Sequence, residues 1–377
     1  MLSSQDLNRL VEMRHHLHRH PELSCAEEQT AAFVAKRLGY LGLSVTSGIG
    51  GHGVVATIGK DGPAVGLRAD MDALAITELT GLPYASETSG VMHACGHDGH
   101  MAILMGAAMI LQRQEFSGRV HLIFQHAEER YGGARMMLDD GLLPRFPMDR
   151  IFGLHNWPGL PAGAVAVHDG PVMAGTAEFS LRFHAAGGHA SMPHLTGDPL
   201  LAGGQFMVGI QQAVARSVDP MEAAVVTVGS FQGGYAQNII PQDAVLSGTL
   251  RAFRAQTLAH LRTRVAAVAE ASAKMAGCGW ELDFDPNACS PVVNTAPERD
   301  ILRQAAGDAL ISPPAAVMAG DDFGEFLGVL PGAYAFLGNG DLAPEAGLHQ
   351  PKYDFNDAAI APGARLLARA ALLALGN

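Results

Sequence analysis

The chain is poor in cysteine and in basic charge. Its four cysteines (Cys25, Cys95, Cys278 and Cys289) show no spacing typical of a disulfide framework, which favours a reducing cytoplasm. Lysine and arginine number 25 against 37 aspartates and glutamates, so the formal net charge is −12. Nucleic acids and anionic membranes attract basic surfaces, so we expect neither as a partner.

Long apolar runs and targeting segments are also missing. No run approaches the ~20 residues that a membrane-spanning helix needs, and the first residues show no basic segment followed by an apolar core. Hydrophobic residues nevertheless make up 48 % of the chain, enough for a large core. The 377 residues therefore predict a soluble, cytoplasmic protein of two or three domains.

The order of predicted strands and helices indicates two different folds. Short apolar strands alternate with helices in residues 1–177, which predicts an α/β domain with a mixed, mainly parallel sheet flanked by helices. Residues 178–290 instead show half-buried strands in the order β-α-β-β-α-β, the ferredoxin-like pattern. Residues 291–377 return to the first pattern. We expect a catalytic domain formed by both ends of the chain, with an inserted ferredoxin-like α+β domain between them.

Residues 92–100 (Met-His-Ala-Cys-Gly-His-Asp-Gly-His) concentrate metal-binding side chains before an apolar run. Cys95 and His97 are separated by one glycine, so both can face a single ion. Thiolate and imidazole are ligands of zinc, nickel, cobalt and manganese sites. A lone cysteine is more often a small buried hydrophobe, so the prediction depends on further ligands elsewhere.

Further polar residues follow predicted strands at their carboxyl ends, where open α/β sheets bind ligands. Asp70 and Asp72 follow one strand, Glu128 and Glu129 the next, and His155 a third. Of the adjacent glutamates, one can bind metal while the other transfers a proton. Five ligands suit two ions that share a bridging group. The candidate ligands are Cys95, His97, Glu129, His155 and His349.

Candidate residues also occur in the inserted domain. His189 lies on a glycine-bounded loop and could donate a hydrogen bond to an oxyanion. Asn238 and Arg251 flank one strand, and arginine binds carboxylates in a bidentate manner. Taken alone, His189 is a turn residue and Arg251 is equally a surface charge. The tract His15–His20 predicts the polar face of a helix.

Together these motifs resemble the aminoacylase/carboxypeptidase G superfamily of two-metal amidohydrolases. The resemblance is greatest to the branch of hippurate hydrolase and of N-acyl- and indole-acetyl-amino-acid hydrolases. It covers nearly the whole chain, through residues 18–23, 67–74, 92–100, 155–158, 187–194 and 353–357. It implies hydrolysis of an N-acyl amino acid to a carboxylic acid and a free amino acid.

The resemblance also implies roles for individual residues. Two divalent ions (Mn, Zn, Ni or Co) would be held by the candidate ligands, with Glu128 as general base and acid. The inserted domain would act as a lid and form a homodimer, or a tetramer of two dimers, that lends His189 to a neighbouring active site. Asn238 and Arg251 match residues that bind the carboxylate of the substrate. Asp72 matches an aspartate beside the metal ligands.

The chain departs from the usual family pattern at a few positions. His126 and Ala75 stand where proline is usual, and Asp321 stands where glutamate is usual, which puts the role of that last loop in question. Asp70 stands where zinc-dependent relatives have a histidine ligand, and His97 compensates for it. None of these departures removes a candidate ligand.

Two alternative functions are consistent with the same residues. Cys95 could be a nucleophile activated by His97, which predicts inactivation by alkylation and indifference to chelators. Alternatively, the chain could be a non-catalytic metal- or amino-acid-binding protein. A closed structural metal site needs no spare carboxylate, so Glu128 speaks against this second alternative.

Overall fold

The computed structural model describes residues 1–130, 132–341, 343 and 345–376. Its helices are α1 (Ser4–Arg19), α2 (Glu28–Tyr40), α3 (His97–Leu111), α4 (Gly133–Asp139), α5 (Leu142–Arg145), α6 (Pro199–Gly209), α7 (Gln212–Ala215), α8 (Ala255–Ala276), α9 (Ala296–Ala306), α10 (Phe323–Leu327) and α11 (Ile360–Ala374). Short 3-10 turns cover Pro193–Leu195, Gly307–Ala309 and Asp357–Ala359.

The strands are β1 (Ser44–Ile49), β2 (Gly53–Gly59), β3 (Ala64–Asp70), β4 (Arg119–Gln125), β5 (Arg150–Trp157), β6 (Val165–Ala166), β7 (Pro171–Met173), β8 (Gly175–His184), β9 (Gly188–His189), β10 (Ala224–Gly233), β11 (Ile239–Ile240), β12 (Asp243–Ala252), β13 (Gly279–Phe284), β14 (Val292–Val293), β15 (Leu310–Ile311) and β16 (Gly332–Gly338). In the described part of the chain, no helix is long and apolar enough to cross a membrane.

The chain divides into two compact units. The first unit comprises Met1–Val172, Val292–Ala316 and Asp321–Asn377, and the second comprises Met173–Pro291 and Val317–Gly320. Each unit has its own hydrophobic core.

The first unit is built on a sheet with the strand order β1-β2-β4-β3-β5-β16-β6-β15. Its central strands β4, β3, β5 and β16 run parallel to one another. Every residue of β3 and of β16 is buried, as expected for parallel strands covered on both faces. The predicted mixed, mainly parallel sheet flanked by helices is therefore confirmed. The sequence analysis did not predict β1, because its residues are mostly small or polar and lie at the exposed edge of the sheet.

Helix α3 begins within the predicted metal-binding segment and is buried along its whole length. After its polar first turn the helix is apolar on every side, as suits a buried helix. It packs against α1, α11 and β3. A Cβ atom at Gly99 would lie 2.4 Å from Cδ2 of Phe355, so glycine is required for this close approach. The packing thereby holds the first turn of α3, which begins at His97, inside the unit.

The second unit contains a four-stranded antiparallel sheet with the order β10-β12-β8-β13. Helices α6 and α8 pack against this sheet, and the apolar residues of β8, β12 and α8 form its core. Numbered along the chain, the strand order is 2-3-1-4, the ferredoxin-like arrangement predicted from the sequence. Helices α6 and α7 are separate elements. Helix α6 ends at Gly209, where glycine has low helix propensity.

Candidate active site

The loop that carries Cys95 is held from behind by two polar side chains. Asn156 donates a hydrogen bond from Nδ2 to the backbone oxygen of Cys95 at 2.6 Å, and the Tyr353 hydroxyl donates to Asn156 Oδ1 at 2.7 Å. Between Cys95 and α3, Gly96 has φ +86°, and a Cβ atom there would lie 2.4 Å from both Asn156 Nδ2 and the Tyr353 hydroxyl. Glycine is thus required for the turn that presents the thiol.

The two histidines nearest this thiol are oriented by backbone carbonyl groups. His97 donates from Nδ1 to the backbone oxygen of Asp72 at 2.9 Å, and His155 donates from Nδ1 to that of Asn156 at 2.7 Å. Because a carbonyl can only accept, Nδ1 carries a proton in both rings, and the Nε2 lone pair is available wherever the ring is neutral. His155 Nε2 lies 3.3 Å from Cys95 Sγ, and His97 Nε2 is buried without a hydrogen-bond partner. This is the arrangement by which imidazoles are prepared to bind metals.

A strained turn positions the two adjacent glutamates. Ala127, just after β4, has φ +53°, a conformation that a non-glycine residue adopts only at a cost. Its backbone N–H donates to Glu27 Oε1 at 2.7 Å, and that of Glu129 donates to Asp72 Oδ2 at 2.9 Å. The resulting turn brings Glu128 Oε2 to 3.9 Å and Glu129 Oε1 to 4.0 Å from His97 Nε2.

His349 approaches the same place from a distant part of the chain. It also has positive φ, +61°, and its backbone N–H donates to the carbonyl of Ala94 at 2.8 Å. Its Nε2 atom lies 3.3 Å from Glu129 Oε1. The side chain is 53 % exposed, so this is the open side of the cluster within the first unit.

The structure brings all five predicted metal ligands together. Their potential ligand atoms fall into overlapping groups whose members lie within 4.8 Å of one another. Two of these groups share the Cys95 sulfur. The buried and unpartnered atoms His97 Nε2 and Glu129 Oε1 are what a bound cation would satisfy, so these residues fit divalent ions. The groups are Cys95–His97–His155, Cys95–Glu129–His349 and His97–Glu128–Glu129.

A further close group, Asp70–His97–His100, has a structural explanation. His100 donates from Nδ1 to Asp70 Oδ1 at 2.6 Å and accepts at Nε2 from the backbone N–H of Asn156 at 3.0 Å. Arg68 donates to the other oxygen of Asp70 at 2.7 Å. Both oxygens of Asp70 and both ring nitrogens of His100 therefore already have hydrogen-bond partners, whereas His97 Nε2 has none.

Glu128 belongs to a buried cluster of carboxyl groups with Asp321 and Asp322. Arg68 Nη2 lies 3.3 Å from Asp321 and 3.1 Å from Asp322, and Gln125 donates to both oxygens of Asp322 at 2.7 and 2.8 Å. Burial, followed by the charge of Asp321, raises the pKa of Glu128 well above its usual range. Burial also raises the pKa of Asp322 to about 8, against the opposing effect of Arg68.

The roles of Arg68 and Asp322 were not predicted from the sequence. A usable signal was present for Arg68, because a guanidinium near the end of the apolar strand β3 must find buried partners. Asp322 offered no comparable signal, since the adjacent Asp321 has the same chemistry and only the fold separates their contacts.

The electrostatics of the site favour positive charge at its centre. Burial opposes protonation of His97, but the carboxylates of Asp70 and Asp72 outweigh it and raise its pKa to about 10. Burial, followed by the charge of Glu129, raises the pKa of the Cys95 thiol well above its usual range. A thiol in such surroundings becomes a thiolate when a cation is beside it.

In the second unit, the structure brings His189 and Asn238 together. His189 in β9 pairs with Ile239 in β11, and the backbone N–H of Ala190 donates to the carbonyl of Asn238 at 3.0 Å. Arg251 lies on β12, where its Nη1 donates to the carbonyl of Met318 at 2.6 Å. All these residues belong to the second unit.

The histidine-rich tract of α1 lies partly inside the first unit. His18 is fully buried, and its Nδ1 lies 2.8 Å from Asp98 Oδ2. Arg14 contacts the same oxygen at 3.3 Å and Asp354 at 2.8 Å. His18 is thus an ion-pair partner that supports Asp98, directly beside His97 in the chain.

Comparisons with known proteins agree with this fold and site. The profile of Peptidase family M20/M25/M40 matches residues 66–373. The chain is 37 % identical over 368 residues to hippurate hydrolase of Campylobacter jejuni, covering 96 % of this chain and 95 % of that protein. It is 39 % identical over 360 residues to N-acetyl-L-cysteine deacetylase of Bacillus subtilis, covering 93 % and 84 %.

A solved structure supports the same family assignment. The YXEP protein of Bacillus subtilis, described as a dinuclear metal binding peptidase from the M20 family, superposes with a TM-score of 0.86 at 32 % identity, covering 99 % of each chain. Fold, site and relatives together define an amide-cleaving hydrolase. The chain belongs to Peptidase family M20/M25/M40. The resemblance and the enzyme class predicted from the sequence are confirmed.

The His18–Asp98 pair predicts a specific pH dependence of stability. Asp98 outweighs burial and raises the pKa of His18 from 6.5 to about 9. The pair's contribution, about 3 kcal/mol for this shift, is therefore complete below pH 6.5 and is lost as the pH rises through about 9. His18→Gln should be less stable at pH 6 and should show a smaller decline than the wild type, as measured by urea unfolding across the pH range. His16→Gln is the control: burial lowers the pKa of His16, so that variant should keep the decline. A His18→Gln variant with the wild-type decline would contradict the assignment.

Proposed function

We propose that this enzyme is a two-metal amidohydrolase that cleaves N-acyl amino acids into a carboxylic acid and a free amino acid. The observation that carries the proposal is the convergence of five potential ligands around the shared Cys95 sulfur, with Glu128 beside them. The names of the relatives, hippurate hydrolase and N-acetyl-L-cysteine deacetylase, support this substrate class. The relative described as dinuclear metal binding supports two ions.

Two groups of residues would hold the ions, and the Cys95 sulfur belongs to both groups. His97 and His155 would complete one group, and Glu129 and His349 the other. Thiolate and imidazole suit Zn, Co, Ni or Mn better than Mg or Ca. When bound, such a pair of ions polarises a carbonyl group and makes water more acidic.

Glu128 would move the protons of the reaction. It is buried next to Asp321 and Asp322, and these neighbours together with burial raise its pKa, as suits a group that must both accept and donate a proton near neutral pH. As base, its carboxylate takes a proton from the attacking water. As acid, it returns that proton to the amide nitrogen, so that the amino acid leaves as a neutral amine.

The second unit would supply residues that bind the substrate. His189 would donate a hydrogen bond to the oxygen that becomes negative when the amide carbonyl is attacked. Asn238 and Arg251 would bind the α-carboxylate, since an amide N–H and a guanidinium both donate to such a group. The bond from Arg251 to the Met318 carbonyl holds the guanidinium in one orientation. We propose that residues 178–290 act as the lid and dimerisation domain.

A cysteine nucleophile fits the geometry less well. The hydrogen-bond partner of Cys95 is His155, not His97, and His97 uses Nδ1 on the Asp72 carbonyl. Burial raises the pKa of the thiol, which opposes formation of a nucleophilic thiolate. The non-catalytic alternative leaves the buried carboxyl of Glu128 without a role.

Chelation should separate the two enzyme mechanisms. We expect a strong chelator to abolish release of free amine from N-acetyl-, N-benzoyl- and N-indoleacetyl-amino acids, and added Mn, Co, Ni or Zn to restore it. Iodoacetamide applied to metal-loaded enzyme should have little effect, because the sulfur would be engaged by metal. Full activity in chelator combined with loss on alkylation would instead support the cysteine nucleophile.

The adjacent glutamates should respond differently to the same substitution. Glu128→Gln should lower kcat by about 10²–10⁴, the range for general acid–base catalysis, while metal content measured by mass spectrometry stays at the wild-type level. Glu129→Gln, the matched control, should lose metal because it removes a ligand. If Glu128→Gln kept its metals and nearly full activity, Glu128 would not be the proton-transfer group.

A second copy of this chain is the expected partner of the second unit. Helices α6 and α8 border an apolar groove of about 780 Å³, beside which Val208 is 78 % exposed. In the described part of the chain, strand β10 lies at an open edge of the sheet, and unpaired edges pair readily with another copy.

We expect wild-type enzyme to be dimeric by light scattering and Val208→Asp to shift toward monomer. Val329→Asp, exposed in the first unit, should stay dimeric. A monomeric wild type would refute this interface.

A further inference from the structure

His189 is held by a residue to which the sequence motif had assigned no role. The backbone N–H of Ser191 donates to His189 Nδ1 at 3.1 Å, and the Ser191 hydroxyl lies 2.8 Å from the same nitrogen. The loop between them closes with a hydrogen bond from the N–H of Met192 to the carbonyl of His189 at 2.8 Å. The imidazole is therefore fixed by the turn that follows it.

These contacts determine the tautomer of the ring. A backbone N–H can only donate, so His189 Nδ1 must present a lone pair to Ser191. In a neutral imidazole the proton then resides on Nε2. The hydroxyl of Ser191, at hydrogen-bond distance from the same atom, donates to it as well. The opposite tautomer would direct an N–H at the backbone N–H of Ser191 and lose that bond, and the hydroxyl would have to turn from donor to acceptor.

The backbone around His189 is also fixed. Strand β9 pairs with β11 through His189 and Ile239, and the preceding Gly187 has φ +71°. His189 and Ser191 are both exposed, so the Nε2 side of the ring can reach a ligand. The ribbon sets the position of the ring, and Ser191 sets which nitrogen carries the proton.

We infer that Ser191 is a positioning residue for the reaction, which keeps His189 in the tautomer that offers Nε2–H to the developing oxyanion. This inference rests on the proposed function, since it concerns the hydrogen-bond donor in that reaction. A histidine in the other tautomer would present a lone pair to the oxyanion and repel it. Ser191 would thus act on turnover through His189, without touching the substrate.

The experiment combines ¹⁵N NMR of histidine-labelled full-length enzyme with steady-state kinetics. The variant His189→Gln identifies the His189 resonances by difference. In wild-type enzyme at alkaline pH, we expect Nδ1 to resonate as an unprotonated nitrogen and Nε2 as a protonated one. In Ser191→Ala the backbone N–H remains and only the hydroxyl donor to Nδ1 is lost, so the fraction with protonated Nδ1 should rise in part, and kcat should fall by about 2- to 10-fold, the worth of one hydrogen bond, with KM unchanged. Ser191→Thr keeps the hydroxyl and should restore both properties.

The controls separate this inference from the proposed function. Ser180→Ala, an exposed serine of β8 in the same unit, should change neither the tautomer nor kcat. Unchanged Nδ1 protonation in Ser191→Ala would overturn the inference, whether or not kcat falls. The NMR measurement needs no substrate, so it gives its answer even if no N-acyl amino acid is hydrolysed. Such a lack of hydrolysis by metal-loaded wild type, or full turnover in His189→Gln, would instead overturn the catalytic role.

Discussion

The concentration of buried negative charge at one edge of the parallel sheet is the constraint on which the rest of the site depends. Carboxyl groups of Asp70, Asp72, Asp321 and Asp322 are buried there, and each must be balanced by a cation or by hydrogen-bond donors. Arg68 balances three of these carboxyl groups, with contacts of 2.7 Å to Asp70, 3.3 Å to Asp321 and 3.1 Å to Asp322. Removing one member of a buried ion pair typically costs about 3–5 kcal/mol, so this network also holds the edge together.

The remaining excess of negative charge explains the properties of the neighbouring groups. It raises the pKa of His97 in spite of burial, and it adds to burial in raising that of Glu128. Both effects have one origin: carboxylates brought close together where water cannot screen them. A site that stabilises added positive charge in this way is suited to divalent cations. The same surroundings suit a carboxyl group that exchanges protons near neutral pH.

Backbone conformation determines how the ligand side chains are directed toward this charged cluster. Gly96, Ala127 and His349 all have positive φ, and each lies at a point where a ligand or its neighbour must turn toward the cluster. Glycine adopts this conformation without strain, whereas Ala127 and His349 do so at a cost that the surrounding hydrogen bonds offset. The ring tautomers of His97 and His155 are likewise decided by backbone carbonyl groups. Precise presentation of ligands thus depends on main-chain contacts.

The sequence by itself determined the classes of element and the residue types of the site. Strand and helix patterns follow from local periodicity, and the clustering of Cys95 and His97 is visible within three residues. Polar residues at strand ends, such as Glu128 and His155, could be assigned to one edge because parallel strands end on the same side. The tertiary structure alone decided the rest. The inward placement of His18, the sharing of Arg68 and the contact of His349 with Glu129 join residues far apart in the chain. Such contacts depend on packing and on the balance of buried charge, neither of which has a local signature.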